Sequence, residues 1–387
     1  MHVLMISLDS SMATKPNSNA RLRHIEYAAH IGKLTVVVYT PNQGLPTQHL
    51  SDHFTVIPTN SPNRMRFITD AIRLAQQVIR ADAPDLITTQ DPFSTGWVGW
   101  WLRRQVAVPL LIQNHCYFID NQAWLAERPL RNRLMNALGK FTSARADAYR
   151  TVNHHERETW LQRGGDPRRV FTHALGTASE AFAHPTEEAI NQARHTLNLA
   201  PDDLVMLWVG YPVPFKRVPL LFEVFKRVSA RLPQAKLVLI GDKLKSAVDL
   251  DQLAHSASIH ERVVMYGPVP HHELPSYYAL AQAYVITSAY EGVPRVLMEA
   301  SAAGLPLVGF DRVGVSEIIQ DGINGYLLAE GDIDGMAEKL AHLLTHSAEA
   351  QQLGASAQQQ ALERFSATRN LENVLAMWHQ TVELGTR

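Results

Sequence analysis

One cysteine, Cys116, occurs in 387 residues. A single thiol excludes an internal disulfide and a multi-cysteine metal site, and it suits a reducing cytoplasm. No apolar run reaches the roughly 18 residues that a membrane span needs. The opening Met1-His2-Val3-Leu4-Met5-Ile6-Ser7 is too short for a signal peptide and soon meets Asp9; it is expected to be a first strand. There is no H-E-x-x-H, and the pairs His154-His155 and His271-His272 lack ligand spacing. No bound metal is therefore expected. G-x-x-x-x-G-K-[ST] and a strand-linked G-x-G-x-x-G are missing, which disfavours a P-loop nucleotidase or a dehydrogenase. The lack of G-x-S-x-G argues against a serine hydrolase of the α/β type. Dense Lys/Arg runs with interleaved aromatics are absent too, so nucleic acid is not an expected partner.

What is present describes a soluble two-domain protein: 46% hydrophobic and 19% charged residues in a chain too long for one ordinary core. The net charge of −1 is unevenly spread, with a basic N-terminal half and an acidic C-terminal half. That asymmetry could serve an anionic surface or acceptor, or the attraction of the two halves for each other.

Short β-branched or apolar runs alternate with helical patterns. The expected strands of the first half are His2–Ser7, Leu34–Tyr39, Leu86–Thr89, Pro109–Gln113 and Ala148–Val152. Between them fall helices Arg21–His30, Arg64–Arg80, Thr95–Gln105 and Leu130–Ser143. A polar, alanine-rich stretch from Thr177 to Pro201 is expected to be the linker. Strands resume at Leu204–Val209, Lys236–Ile240, Val263–Tyr266, Ala283–Ile286, Leu307–Gly309 and Gly325–Leu328, and helices Ile333–Leu344 and Leu371–Glu383 close the chain. The expected class is α/β, with two doubly wound domains and ligands beyond the carboxyl ends of the strands. Expected boundaries are 1–180, 181–365 and a C-terminal helical segment 366–387 that packs back toward the N-terminal domain.

The most informative stretch is Glu291-Gly292-Val293-Pro294-Arg295-Val296-Leu297-Met298-Glu299. It reads as a loop and a helix start. Pro294 suits the first helical position, and Gly292 lets the backbone approach a ligand. The free amides of a helix start form a natural seat for phosphate. Glu299, one and a half turns further on, could reach a polyol such as a ribose. The ordinary reading is that Glu291 is a helix-start acid and Glu299 a surface acid paired with Arg295 at i,i+4. Three other clusters end strands: Gly210 to Lys216-Arg217, suited to a diphosphate; the turn Gly267-Pro268-Val269-Pro270; and Asp311 to Glu317, where Gly314 is expected to precede a short helix. In the first half, Gln113-Asn114-His115-Cys116 closes a strand.

In this order the segments resemble the retaining glycosyltransferases of family 4, with the GT-B architecture. The resemblance covers residues 204–330 most strongly. It rests on Glu291 and Glu299 with seven residues between, the Gly210…Lys216 loop, Gly267-Pro268-Val269-Pro270 followed by Glu273-Leu274-Pro275-Ser276-Tyr277-Tyr278, and Asp321-Gly322-Ile323-Asn324-Gly325. It implies two Rossmann-like domains facing across a cleft, a nucleotide-sugar donor and a glycan or lipid-linked acceptor. It also implies roles: Lys216 on the diphosphate with Gly210 and Arg217 beside it, Glu299 on the ribose, and Glu291 on the transferred sugar. Gly267 and Val269 would face the base, the backbone of Gly292, Val293, Pro294 and Arg295 would hold sugar and phosphate, and His115 would approach from the other domain. Such enzymes need no bound metal, because helix dipoles and basic side chains neutralise the leaving group. Membership would suit surface-glycan or glycolipid synthesis in the cytoplasm, at the inner face of a membrane.

The chain departs from the family pattern in three places. Tyr211 stands where the family often has arginine, so Arg217 or Arg295 would have to supply that charge. Ser10 to Asn17 replaces a glycine-rich first loop that binds phosphate or acceptor in the family, leaving Lys15, Arg21 or Arg23 to take part in that binding. Tyr117 replaces an acid, with Asp120 nearby. These departures leave open a non-catalytic sugar-nucleotide-binding protein, or another GT-B enzyme such as a nucleotide-sugar epimerase or a phosphorylase. Trp97, Trp100 and Trp101 beside Arg103 and Arg104, and Leu130, Leu134 and Leu138 among Arg128, Arg131 and Arg133, suggest peripheral contact with anionic lipid or ordinary core helices.

Overall fold

The computed structural model describes residues 1–174, 176 and 179–385. The chain divides into two units, Met1–Ala174 with Asn370–Arg387, and Leu175–Arg369.

The first unit holds eight strands: β1 His2–Ser7, β2 Lys33–Val38, β3 Gln48–Ser51, β4 Phe54–Pro58, β5 Leu86–Thr89, β6 Leu110–Gln113, β7 Ala148–Thr151 and β8 Val170–Thr172. Their order is β3-β4-β2-β1-β5-β6-β7-β8, parallel except for β3 against β4. The central strands are buried along their length, as a sheet covered on both faces requires. One face packs on Tyr27 and Ala28 and on Val374, Met377 and Trp378 of the last helix, Ala367–Gly385. The Tyr27 and Trp378 rings meet edge to face, and Asn370 Nδ2 donates to Tyr27 Oη at 2.5 Å. The other face packs on Ala71, Ala75, Val98 and Leu102.

The second unit holds β9 Leu204–Val209, β10 Ala235–Ile240, β11 Val263–Tyr266, β12 Ala283–Ile286, β13 Leu307–Phe310 and β14 Gly325–Leu328, ordered β11-β10-β9-β12-β13-β14 and parallel throughout. In both sheets the order of strands switches from one side of the first strand to the other, at β1/β5 and at β9/β12. Such switch points leave a crevice at the carboxyl ends where ligands are received.

Several elements differ from expectation. Strands β3, β4 and β8 lie outside the expected set: β3 and β8 are short edge strands, β3 polar and bulged between His49 and Ser51, whereas β4 is an inner strand with alternating burial. Ser347–Phe365 is a 19-residue helix whose glutamine and alanine content masked its apolar stripe. Within the expected linker, Thr177 lies outside the described residues, and Ser179–Ala183 and Glu187–Thr196 are helices. No short helix follows Gly314: the segment after β13 is a series of turns. Among the described residues, no helix is long and apolar enough to cross a membrane.

Candidate active site

The loops after β9 and β12 flank the second switch point and are laced together. Ala289 N donates to Phe215 O at 2.8 Å, and Thr287 Oγ1 donates to Lys216 O at 3.0 Å. Phe215 and Tyr290 stack at 5.1 Å. Across this junction Lys216 Nζ donates to Glu291 Oε1 at 2.5 Å, with both side chains largely buried. The lysine and the first glutamate thus share one spot at the carboxyl edge of the sheet.

Arg217, the next residue, has another task. Its backbone is left-handed (φ 51°), a strained setting for arginine that its contacts must hold. Nε donates to Thr287 O at 2.7 Å, Nη2 donates to Ser288 O at 3.2 Å, and Nη1 pairs with Glu330. Arg312 Nε also reaches Glu330, at 2.7 Å. Burial opposes the charge on Glu330, yet these two guanidinium groups hold its carboxyl down at about 2. Arg217 therefore clamps the ends of β12 and β14.

The helix Arg295–Ala302 starts beside Glu291. Pro294 is its N-cap rather than its first residue, with an extended backbone and no side-chain cap. The first amides, those of Arg295 and Val296, have no intrahelical acceptor, and the helix dipole points its positive end outward. Val293 is partly exposed in front of them while Gly292 and Pro294 are buried. Gly314 (φ 86°) braces this turn: a Cβ there would collide with the carbonyls of Gly292 and Glu291. The Arg295 side chain is exposed.

Glu299 is 3% exposed, so it is no surface acid. Arg295 approaches it only to 3.8 Å. Its nearer partners are Tyr278 Oη, donating to Oε2 at 3.0 Å, and His271 Nε2, 3.0 Å from Oε1. Burial and the nearby Glu299 charge keep the Tyr278 phenol well above its usual range, so it remains a donor.

Three neighbouring strands end in glycine. Gly210 N donates to Ile240 O and Gly241 N to Tyr266 O, carrying the ladder one residue past β9 and β10. A Cβ on Gly241 would strike the Gly210 carbonyl oxygen, and one on Gly267 would press on Val269 N and Gly241 N. The floor beside Val269 is thus bare backbone. Sequence reading missed Gly241, His271 and Tyr278. The Ile240-Gly241 strand end, like Val209-Gly210, was the signal for the first; Tyr278 stands in the Glu273-to-Tyr278 motif with no role assigned to it, and His271 only in a pair without ligand spacing.

His115 belongs to the first unit. Its Nε2 lies 2.6 Å from Gln90 Oε1, and Arg150 Nη1 approaches Nδ1 at 3.3 Å. Burial, with Arg150, Arg23 and His24 around it, drives its pKa well below the usual imidazole range. Arg150 itself donates to His173 O and Gln113 Oε1, and burial lowers it to about 10. His115 is therefore a neutral hydrogen-bonding group at pH 7. Among the described residues, no cluster of three or more His, Cys, Asp or Glu side chains could hold a metal ion.

The family model for glycosyl transferases group 1 matches residues 189–360, and that for the glycosyl transferase 4-like domain matches residues 21–176. The chain belongs to the GT4-like glycosyltransferases. It is 28% identical over 329 residues to a D-inositol 3-phosphate glycosyltransferase of Mycobacterium marinum, covering 81% of this chain and 68% of that one. The counterpart from Mycobacterium tuberculosis is 27% identical over 256 residues, 65% of this chain and 52% of the relative, so the chain spans only about half of that protein. Among solved structures, sucrose-phosphate synthase from Thermosynechococcus elongatus superposes with a TM-score of 0.81 at 22% identity, covering 98% of both chains. Anabaena HepE in complex with UDP-glucose gives 0.76 at 19% identity, covering 97% of this chain and 99% of that one. The fold is GT-B, and this glycosyltransferase carries both of its parallel-sheet units.

Proposed function

We propose that the chain moves a sugar from a nucleotide-sugar to a glycan or lipid-linked acceptor with retention of configuration. The observation that carries this reading is the Lys216–Glu291 pair, set beside the uncapped start of the Arg295 helix, with buried Glu299 about one turn into that helix. This places a cation, free amides and two carboxylates around one helix start. Such a set suits an anionic diphosphate between two polyols.

In this reading Glu299 accepts the ribose hydroxyls, and Lys216 and the amides of Arg295 and Val296 hold the diphosphate. Glu291 binds hydroxyls of the transferred sugar, and the glycine floor with Val269 receives the base. Arg217 supports the site from behind, because its guanidinium is committed to Thr287, Ser288 and Glu330. Arg295 is then the side chain able to replace the charge missing at Tyr211. The bond from the sugar anomeric carbon to the phosphate oxygen breaks, and the nucleoside diphosphate leaves. The acceptor oxygen bonds to the same face while its proton passes to the departing phosphate oxygen. The protein contributes positioning and charge stabilisation. His115 acts as a neutral hydrogen-bond partner of the sugar.

The same charges support a metal-independent reaction; turnover unchanged by EDTA is expected, and its loss would overturn that part. Work at the inner face of a membrane is supported by Leu130 and Leu134, 88% and 66% exposed beside Arg131 and Arg133. The decisive experiment is a thermal-shift panel of UDP, GDP, ADP and TDP with their sugars. Stabilisation by one nucleotide family is expected; no response to any would refute the donor site.

A further inference from the structure

Glu299 is held from two sides by groups that do not belong to its own helix. Tyr278, on helix Leu274–Ala279, donates to Oε2 at 3.0 Å. His271 stands four residues beyond Gly267, at the end of the turn after β11, and its Nε2 lies 3.0 Å from Oε1. With Nε2 facing a carboxylate, the proton of the neutral ring belongs on that nitrogen. One side chain, Phe182, braces both donors. It is fully buried, and its ring lies edge-on to His271 at 5.5 Å and to Tyr278 at 5.3 Å. The carboxylate cannot rotate without losing one hydrogen bond or the other, and neither donor can swing away through Phe182. Each oxygen keeps a second lone pair for an incoming hydroxyl.

Resting on the donor-site reading above, we propose that His271 is a positioning residue that sets the Glu299 carboxylate for the 2′- and 3′-hydroxyls of a ribonucleotide, so that this site selects ribose over 2′-deoxyribose. A carboxylate fixed in plane by two donors presents its free lone pairs in one direction. A vicinal diol matches that arrangement, and a 2′-deoxy sugar leaves one lone pair unsatisfied in a buried site. A hydrogen bond to a charged group is worth enough to make the preference about tenfold or more. His271 also ties the turn that bears Gly267 and Val269 to the ribose carboxylate, joining the base side of the site to its sugar side.

The test is calorimetric binding of UDP, GDP and ADP, each beside its 2′-deoxy counterpart, to the full chain and to His271→Ala, His271→Gln and Phe182→Leu. The wild type is expected to prefer the ribonucleotide of its own base about tenfold. His271→Ala should bring the ratio close to one, chiefly by weakening the ribonucleotide. His271→Gln, whose amide can still donate to Oε1, should keep most of it, and Phe182→Leu should fall between. A general loss of fold would weaken both nucleotides alike and leave the ratio untouched. If His271→Ala keeps the full ratio, or if the wild type binds both sugars equally, the inference is overturned while the donor site stands. If none of the three nucleotides binds the wild type, the donor-site reading fails first and this one with it.

Discussion

The two units treat their buried glutamates in opposite ways. In the second unit Glu291 and Glu299 each meet a nitrogen donor of a basic side chain, Lys216 or His271, at the carboxyl edge of the sheet. In the first unit Glu156 is fully enclosed and faces amides: Asn114 Nδ2 at 2.5 Å and Asn153 Nδ2 at 3.4 Å. Burial pushes its carboxyl up to about 8, so it keeps its proton at neutral pH. Strand ends differ in the same sense. The second unit follows β9, β10 and β11 with glycine, leaving bare backbone at that edge, whereas β6 ends in Gln113 and leads to Asn114 and His115, whose side chains bond to Thr88, Glu156 and Gln90. The lesson lies in the partners: the second unit sets acidic side chains against basic ones at the edge of its sheet, while in the first Glu156 is met by neutral amides.

The largest effect that would break this contrast is at Glu291. Glu291→Ala should lower kcat by about 10³-fold with the fold intact, as checked by steady-state transfer and circular dichroism. Unchanged turnover would move the chemistry elsewhere. Lys216→Met comes next, with an expected loss of about 10²-fold in kcat/KM, because it removes a leaving-group charge and leaves Glu291 buried without its cation. Measured weakening of nucleoside diphosphate binding should accompany it.

The third prediction concerns pH. The folded pKa of Glu156, about 8, lies above its ordinary value of 4.5. Its contribution to stability is thus fully present below 4.5 and is lost as pH rises toward 8. His24 has the opposite sign: burial lowers it to about 4, so its contribution is present above 6.5 and lost as pH falls. Between pH 6.5 and 8 Glu156 acts without that opposition, and the first unit should lose about 2 kcal/mol across this window. Urea unfolding of Glu156→Gln should show a flatter profile there; an identical slope would mean that Glu156 ionises normally. The smallest effect is on lipid. Leu130→Ser with Leu134→Ser should weaken binding to vesicles containing anionic phospholipid by about tenfold. Equal co-sedimentation of variant and wild type, or none by either, would leave the two units alike in facing water.

Much of this was legible in the sequence because it is local. Buried parallel strands read as short apolar runs, and β1, β5 and β9 fell at their expected places for that reason. The Glu291-to-Glu299 spacing announced a loop and helix start, off only at Pro294, since a proline N-cap and a proline at the first helical turn look alike in sequence. Edge strands β11 and β14 were legible, whereas polar β3 and three-residue β8 were not, because an edge need not be apolar on both faces. Roles set by partners far along the chain were not legible at all. Arg217 follows Lys216, yet it is Glu330 and the carbonyls of Thr287 and Ser288 that claim it.

The sequence by itself therefore determined the α/β alternation, the glycosyltransferase motifs and the order of the site residues, because each depends on periodicity or spacing within a few turns of chain. The tertiary structure alone decided which charges are spoken for. Hydrogen bonding and burial act between residues as distant as Arg217 and Glu330, or His271 and Glu299. Those contacts exist only once the strands lie side by side and bring their carboxyl ends to one edge.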